Sequence, residues 1–115
     1  MRRGEIRLVD LEPVLGAEAD KRRPAVLVSN DGANSTAQRL GRGVVTVVPV
    51  TSNTRRVYPF QVLLPAVDTG LAVDSKAQAE QVRAIAVERV GGRIGVLTTD
   101  LVAALDEALR LHLAL

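Results

Sequence analysis

Two β-branched apolar runs, RRPAVLVSN at residues 22–30 and GVVTVVPVTSN at 43–53, constrain the fold of this chain more than any other feature. Stretches so rich in valine and so short read as core strands. Pro49 has no N–H to give to a ladder, so it implies a bulge or an unpaired edge near the end of the second run. Each run also carries a polar side chain at one end. Arg23 stands directly before Pro24 at the head of the first, and Thr51 closes the second. A strand end can hold a side chain rigidly where solvent or substrate reaches it, so the pair has the character of a site.

The rest of the chain supplies more strands and then a helix. Residues 4–10, GEIRLVD, alternate polar and apolar, with Ile6 and Leu8 on one face, and predict a half-buried strand that opens the sheet. Residues 11–23 are rich in Pro, Gly and charge without a period and read as a loop. YPFQVLLP at 58–65 and RIGVLT at 93–98 read as strands, whereas AQAEQVRAIA at 77–86 fits a helix or a strand end. From Asp100 the period becomes helical, with Leu101, Leu105, Ala108, Leu109 and His112 on one stripe and Thr98 or Thr99 as N-cap. Repeats, low-complexity tracts and linkers are absent. The expectation is one domain over residues 1–115: a compact α+β barrel, mainly β, of short strands followed by one amphipathic helix that covers an opening of the sheet. His112 is expected to be a packed or half-exposed helix residue. Asp106 and Glu107 are adjacent, so their carboxylates diverge on a helix and form a solvated face.

Composition narrows the chemistry. With 115 residues, 47% apolar and 24% charged, the chain can bury a core, although a partner subunit would extend it. It contains no cysteine and a single histidine, His112. Disulfides, thiolate zinc sites and cysteine nucleophiles are excluded, leaving arginine, hydroxyls, amides and carboxylates, and no metal or cofactor is expected. The N-terminus lacks the apolar centre of a signal peptide, and no run approaches the ~18 apolar residues that span a bilayer, so a soluble, cytoplasmic protein is expected. The net charge of +2 is unevenly spread: residues 1–60 hold ten basic and six acidic side chains, residues 61–115 five and seven. Thirteen of the fifteen basic residues are arginine. A GC-rich coding sequence would produce that bias. So would an acidic partner, since the guanidinium fork suits paired bonds to phosphate.

RRGEIRLVDLEPVLGAEADKRRPAVLVSND, VVPVTSN, YPFQVLL, AEQVRAI and the terminal amphipathic helix occur in an order that resembles the MazF/PemK family of toxins from bacterial toxin–antitoxin pairs. The resemblance covers nearly the whole chain. It implies a small SH3-like barrel of the CcdB/PemK type that forms a homodimer, cuts single-stranded messenger RNA at short sequences without metal, and is neutralised by a cognate MazE-like antitoxin. The family's arginine before proline falls on Arg23, its threonine after the VxP-type strand on Thr51, its loop glutamate on Glu18 and its RNA-contacting glutamine on Gln81. The family's loop serine is Ala17 here, and Arg7 replaces an aromatic residue common after GEI.

Such a cleavage uses the RNA 2′-hydroxyl as internal nucleophile, so the protein must align that group with phosphorus and leaving oxygen instead of supplying a nucleophile. A fixed guanidinium at Arg23 would stabilise charge on the nonbridging oxygens by about 3 kcal/mol, and Thr51 would donate a second hydrogen bond. Arginine holds its proton far too tightly to act as a base, which makes Glu18 or a phosphate oxygen the better proton acceptor. The expected products are a 2′,3′-cyclic phosphate and a 5′-hydroxyl.

In TSNTRRVYPF, residues 51–60, Ser52, Asn53 and Thr54 could read splayed base edges, Arg55 and Arg56 could hold phosphates, and Tyr58 could stack on a base. Ordinary roles compete with each assignment: Arg23 paired with Glu18 or Asp20, Thr51 as a turn hydroxyl, Arg55 and Arg56 as a solvated tip, Tyr58 as a packing residue and Phe60 as core. Two other functions fit the same barrel. One is a non-enzymatic, CcdB-like topoisomerase poison, which has no need of an arginine and hydroxyl at strand ends. The other is an RNA-binding barrel without turnover. An antitoxin would lay an acidic, initially disordered tail over the arginines that RNA uses.

Overall fold

The computed structural model describes residues 1–11 and 22–115. Its elements are β1 (Glu5–Asp10), β2 (Arg22–Leu27), α1 (Asp31–Leu40), β3 (Val44–Thr51), β4 (Gln61–Leu64), α2 (Ala66–Thr69), β5 (Ser75–Gln78), β6 (Arg83–Ala86), β7 (Val90–Val96) and α3 (Thr99–Leu113). One-turn 3-10 helices at Ala79–Gln81 and Val87–Arg89 flank β6. All strand pairings among the described residues are antiparallel, in the order β4-β5-β3-β2-β1-β7, with β6 also on β3.

The valine-rich runs are continuous because their strands are buried on both faces. Val26, Val48 and Val50 join Ile6, Leu64, Leu105 and Ala108 in one core, beneath α3. Their neighbours Ala25, Leu27, Val45 and Val47 point the opposite way into a second core with Val9, Ala37 and Ile85, beneath α1. Alternation of side chains along a strand makes this unavoidable once both faces are covered. β3 is the hub. On the side away from β2 it pairs with β6 at residues 44–47 and with β5 at Val50 and Thr51. Pro49 falls between these partners, which is the unpaired edge its sequence implied.

The helix content exceeds the single helix expected. α1 was hidden because DGANSTAQRL has little apolar periodicity, yet its ends are well specified. Asn30 accepts a hydrogen bond from the Ala33 N–H at 2.8 Å, and Gly41 closes the helix at φ 67°. Fully buried Asn34 ties the helix to the strand before it, donating to the Ser29 carbonyl at 2.9 Å while its Oδ1 accepts from the Ser29 hydroxyl. α3 follows its predicted stripe through Leu101, Leu105, Ala108 and Leu109, with Thr98 as the N-cap accepting from the Leu101 N–H. His112 is exposed in the last turn, so the stripe ends one turn early. The ambiguous segment at 77–86 is composite: the end of β5, a 3-10 turn and β6.

Two glycines, Gly70 and Gly95, face each other where the barrel closes. The short α2 after β4 packs its C-terminal turn onto β7, so that a Cβ at Gly95 would lie 1.8 Å from the Thr69 carbonyl oxygen. The contact joins the two ends of the strand order, which β4 and β7 occupy.

Candidate active site

Strand register brings Arg23 and Thr51 together. β2 and β3 pair Leu27 with Val47, Val26 with Val48 and Ala25 with Pro49, and continuing by two residues sets Arg23 opposite Thr51. On its other side Arg23 pairs with Val9, while Thr51 pairs with Lys76 of β5 and Lys76 in turn with Leu63 of β4. These residues form a row across one end of the sheet. Arg23 is exposed, and among the described residues its guanidinium has no hydrogen-bond or ion-pair partner.

Both side chains line one concavity of about 150 Å³. Arg23, Pro24, Val50, Thr51 and Ser52 form one wall, and Leu71, Ala72 and Val73, from the connection between α2 and β5, form the other with Ser75, the first residue of β5. The second wall was missed by sequence reasoning, because LAVDS carries no chemistry and its place beside Arg23 depends on how α2 folds back.

The segment from Ser52 to Phe60 leads from β3 to β4. Both strands pair with β5, so the segment arches over the strand that lies between them. Its backbone is pinned repeatedly. Thr51 Oγ1 accepts from the Asn53 N–H at 3.3 Å, and Asn53 Oδ1 accepts from the Arg55 N–H at 3.2 Å. Lys76 Nζ donates to the Arg56 carbonyl at 2.6 Å, and Gln61 Oε1 accepts from the Tyr58 N–H at 3.2 Å. Gln61 Nε2 donates to Glu80 Oε2 at 2.7 Å. Ser52 reaches the concavity, whereas Asn53 and Arg55 are exposed on the arch and do not line it. The strand expected over 58–65 begins only at Gln61. Tyr58 and Phe60 lie before it, stacked with parallel rings 5.3 Å apart, so Phe60 is half-buried against Tyr58 and part of the Tyr58 surface is occupied. Gln81 is exposed at the end of its 3-10 turn and does not line the concavity. Glu18, Ala17 and Asp20 lie outside the described residues.

Arg7 is part of an ion cluster. Its Nε and Nη2 donate to Glu5 Oε1 at 3.1 and 3.0 Å, its Nη1 donates to the Gly91 carbonyl at 3.1 Å, and Arg93 stands 3.7 Å from the other Glu5 oxygen. Burial pushes the Glu5 carboxyl up, but a hydrogen bond from the Arg2 backbone, the Arg7 guanidinium and the N-terminal ammonium together bring it below its ordinary value. This cluster braces β1 against β7.

The antiparallel sheet with its C-terminal helix is a small barrel-like fold that presents an arginine and a hydroxyl in a groove at one end of the sheet. The chain belongs to the PemK-like, MazF-like toxin family of type II toxin–antitoxin systems, whose model matches residues 2–113. It is 66% identical over 115 residues to Endoribonuclease MazF9 of Mycobacterium tuberculosis, covering 100% of this chain and 98% of that protein. It is 30% identical over 116 residues to Endoribonuclease EndoA of Bacillus subtilis, covering 100% and 96%. Among solved structures, MazE–MazF (Form-II) from Deinococcus radiodurans superposes with a TM-score of 0.78 at 25% identity, covering 100% of this chain and 96% of the other.

Proposed function

We propose that this protein is a sequence-specific endoribonuclease toxin that cleaves single-stranded messenger RNA by attack of the 2′-hydroxyl on the adjacent phosphate. The observation that carries this reading is the shared concavity of Arg23 and Thr51, with a guanidinium left unengaged among the described residues. An oxyanion-stabilising group must be available to substrate and fixed before it arrives, and a strand end provides both. In this reading Arg23 bridges the nonbridging oxygens, and the Thr51 hydroxyl donates to the same phosphate while still accepting from Asn53. The 2′ proton passes to Glu18 or to a phosphate oxygen, the bond from phosphorus to the 5′ oxygen breaks as the bond to the 2′ oxygen forms, and the departing 5′ oxygen takes up a proton from that acceptor or from water to leave as the 5′-hydroxyl. Ser52 and Asn53 read base edges, Arg55 holds a neighbouring phosphate, and Gln81 contacts RNA beyond the cavity. Each step is proton transfer or phosphoryl exchange, so neither metal nor cofactor is required.

Relatives named as endoribonucleases, at 66% and 30% identity, favour cleavage over a topoisomerase poison or a binding-only barrel. The solved MazE–MazF assembly supports a MazE-like antitoxin as partner. The exposed Leu111, Leu113 and Leu115 at the end of α3 are consistent with a homodimer, since apolar side chains clustered at one helix end favour burial in an interface. No helix among the described residues is long and apolar enough to cross a membrane, and we place the toxin, a single domain over residues 1–115, in the cytoplasm with its substrate. The test is incubation of purified protein with a long cellular RNA in EDTA, followed by sequencing of the new 5′-hydroxyl ends. Wild-type protein is expected to cut at one short motif and Arg23→Ala not to cut. An uncut pool of diverse RNAs would sink the assignment.

A further inference from the structure

We propose that Lys76 is a positioning residue that sets cleavage-site selectivity by propping the RNA-reading arch from below. Lysine is among the residues least often buried, yet Lys76 is only 8% exposed. It occupies the middle strand, directly between Thr51 of β3 and Leu63 of β4, beneath the connection that joins those two strands. Its ammonium reaches up to the Arg56 carbonyl at 2.6 Å and lies 6.0 Å from the Tyr58 ring centroid. A charge-assisted bond from a buried donor is strong, because the surroundings offer little water to compete.

The other supports of the arch lead into the same buried layer. Gln61, also 8% exposed, holds the Tyr58 N–H and is itself oriented by Glu80. Thr51 and Asn53 hold the ascending limb. The crown, at Arg55 to Val57, rests on one buried support among the described residues: the Lys76 bond to Arg56. Without it the crown loses its anchor while both feet remain attached. Arg23 and Thr51 stay fixed by strand register, so base reading should loosen without loss of the chemical step.

This inference rests on the RNA-cleaving reading above, and its test separates the two. Steady-state cleavage by wild type, Lys76→Met and Lys76→Arg would be measured on an oligonucleotide with the mapped site and on single-base variants of it. Met keeps the buried stem and removes the donors, while Arg keeps them. For Lys76→Met the expected result is a KM raised about tenfold, a kcat within about twofold of wild type, and a ratio of cognate to variant cleavage reduced by about tenfold, with Lys76→Arg recovering most of that ratio. An unchanged ratio, or an equal fall in kcat on every substrate with KM unaltered, would overturn the proposal. If Lys76→Met does not fold, NMR of the wild-type lysine ammonium protons decides: a Lys76 ammonium protected from exchange with water, as its bond to the Arg56 carbonyl requires, supports the strut, and one that exchanges as fast as a solvated lysine refutes it. Wild-type protein that leaves all RNA intact would sink the enzymatic reading, while the exchange result would still report on the strut.

Discussion

Arg23 and Thr51 are held by the backbone ladders of β1, β2, β3 and β5, whereas Ser52, Asn53 and Arg55, immediately downstream, ride on an arch shaped by side-chain hydrogen bonds. The two regions differ in what a substitution can change. A ladder depends little on side-chain identity, so the chemical pair keeps its geometry as neighbours vary. The arch rests on a few buried polar groups, Lys76 and Gln61 above all, so under the strut proposal small changes beneath it would re-aim the residues that meet the bases. Under the proposed function this is a division of labour, with the chemistry anchored on strands and selectivity left to a segment that can be retuned.

The sharpest way to break this contrast is Arg23→Lys. The strand ladder is unaffected and charge is retained, but lysine cannot grip phosphate with two prongs, so kcat/KM should fall about 100-fold with little change in melting temperature, measured by single-turnover cleavage and thermal unfolding. Near wild-type cleavage would mean that a point charge suffices. Next in size is Gly95→Ala. Because the added Cβ meets the Thr69 carbonyl at 1.8 Å, β7 or α2 must shift, and a loss of about 2 kcal/mol in chemical denaturation is expected, with activity falling only in step with the unfolded fraction. A stable but inactive Gly95→Ala protein would show that barrel closure also shapes the groove. The smallest effect is expected from Arg55→Ala combined with Arg56→Ala. RNA affinity should weaken and its log–log salt slope should become shallower by roughly 1.4, about 0.7 for each phosphate no longer neutralised, while kcat at saturating RNA holds. An unchanged slope would make these arginines a solvated crown and shift the reading function to Ser52 and Asn53.

Much of this architecture is legible in the chain. Continuous β-branched runs mark β2 and β3, Pro49 marks the interruption in pairing, and the 3.6-residue stripe with Thr98 marks α3. The elements that local pattern does not reveal have a common cause. α1 carries few apolar residues and is defined by its caps and the buried Asn34, signals that are local and easily read as loop. β5, SKAQ, has neither alternation nor β-branching and is a strand because Thr51 and Leu63 flank Lys76 on either side. The aromatic content of Tyr58 and Phe60 suggests a strand, but Gln61 captures the Tyr58 N–H and holds it in a turn instead.

The sequence by itself determined the polar chemistry available, the core strands, and the placement of Arg23 and Thr51 at strand ends, since these follow from residue type and short-range pattern. Only the tertiary structure decided that the two strand ends are adjacent, that Leu71, Ala72 and Val73 close the opposite wall, and that a lysine in an ordinary polar stretch stands buried beneath the arch. Register and burial arise from contacts between segments far apart in the chain, so no local pattern encodes them.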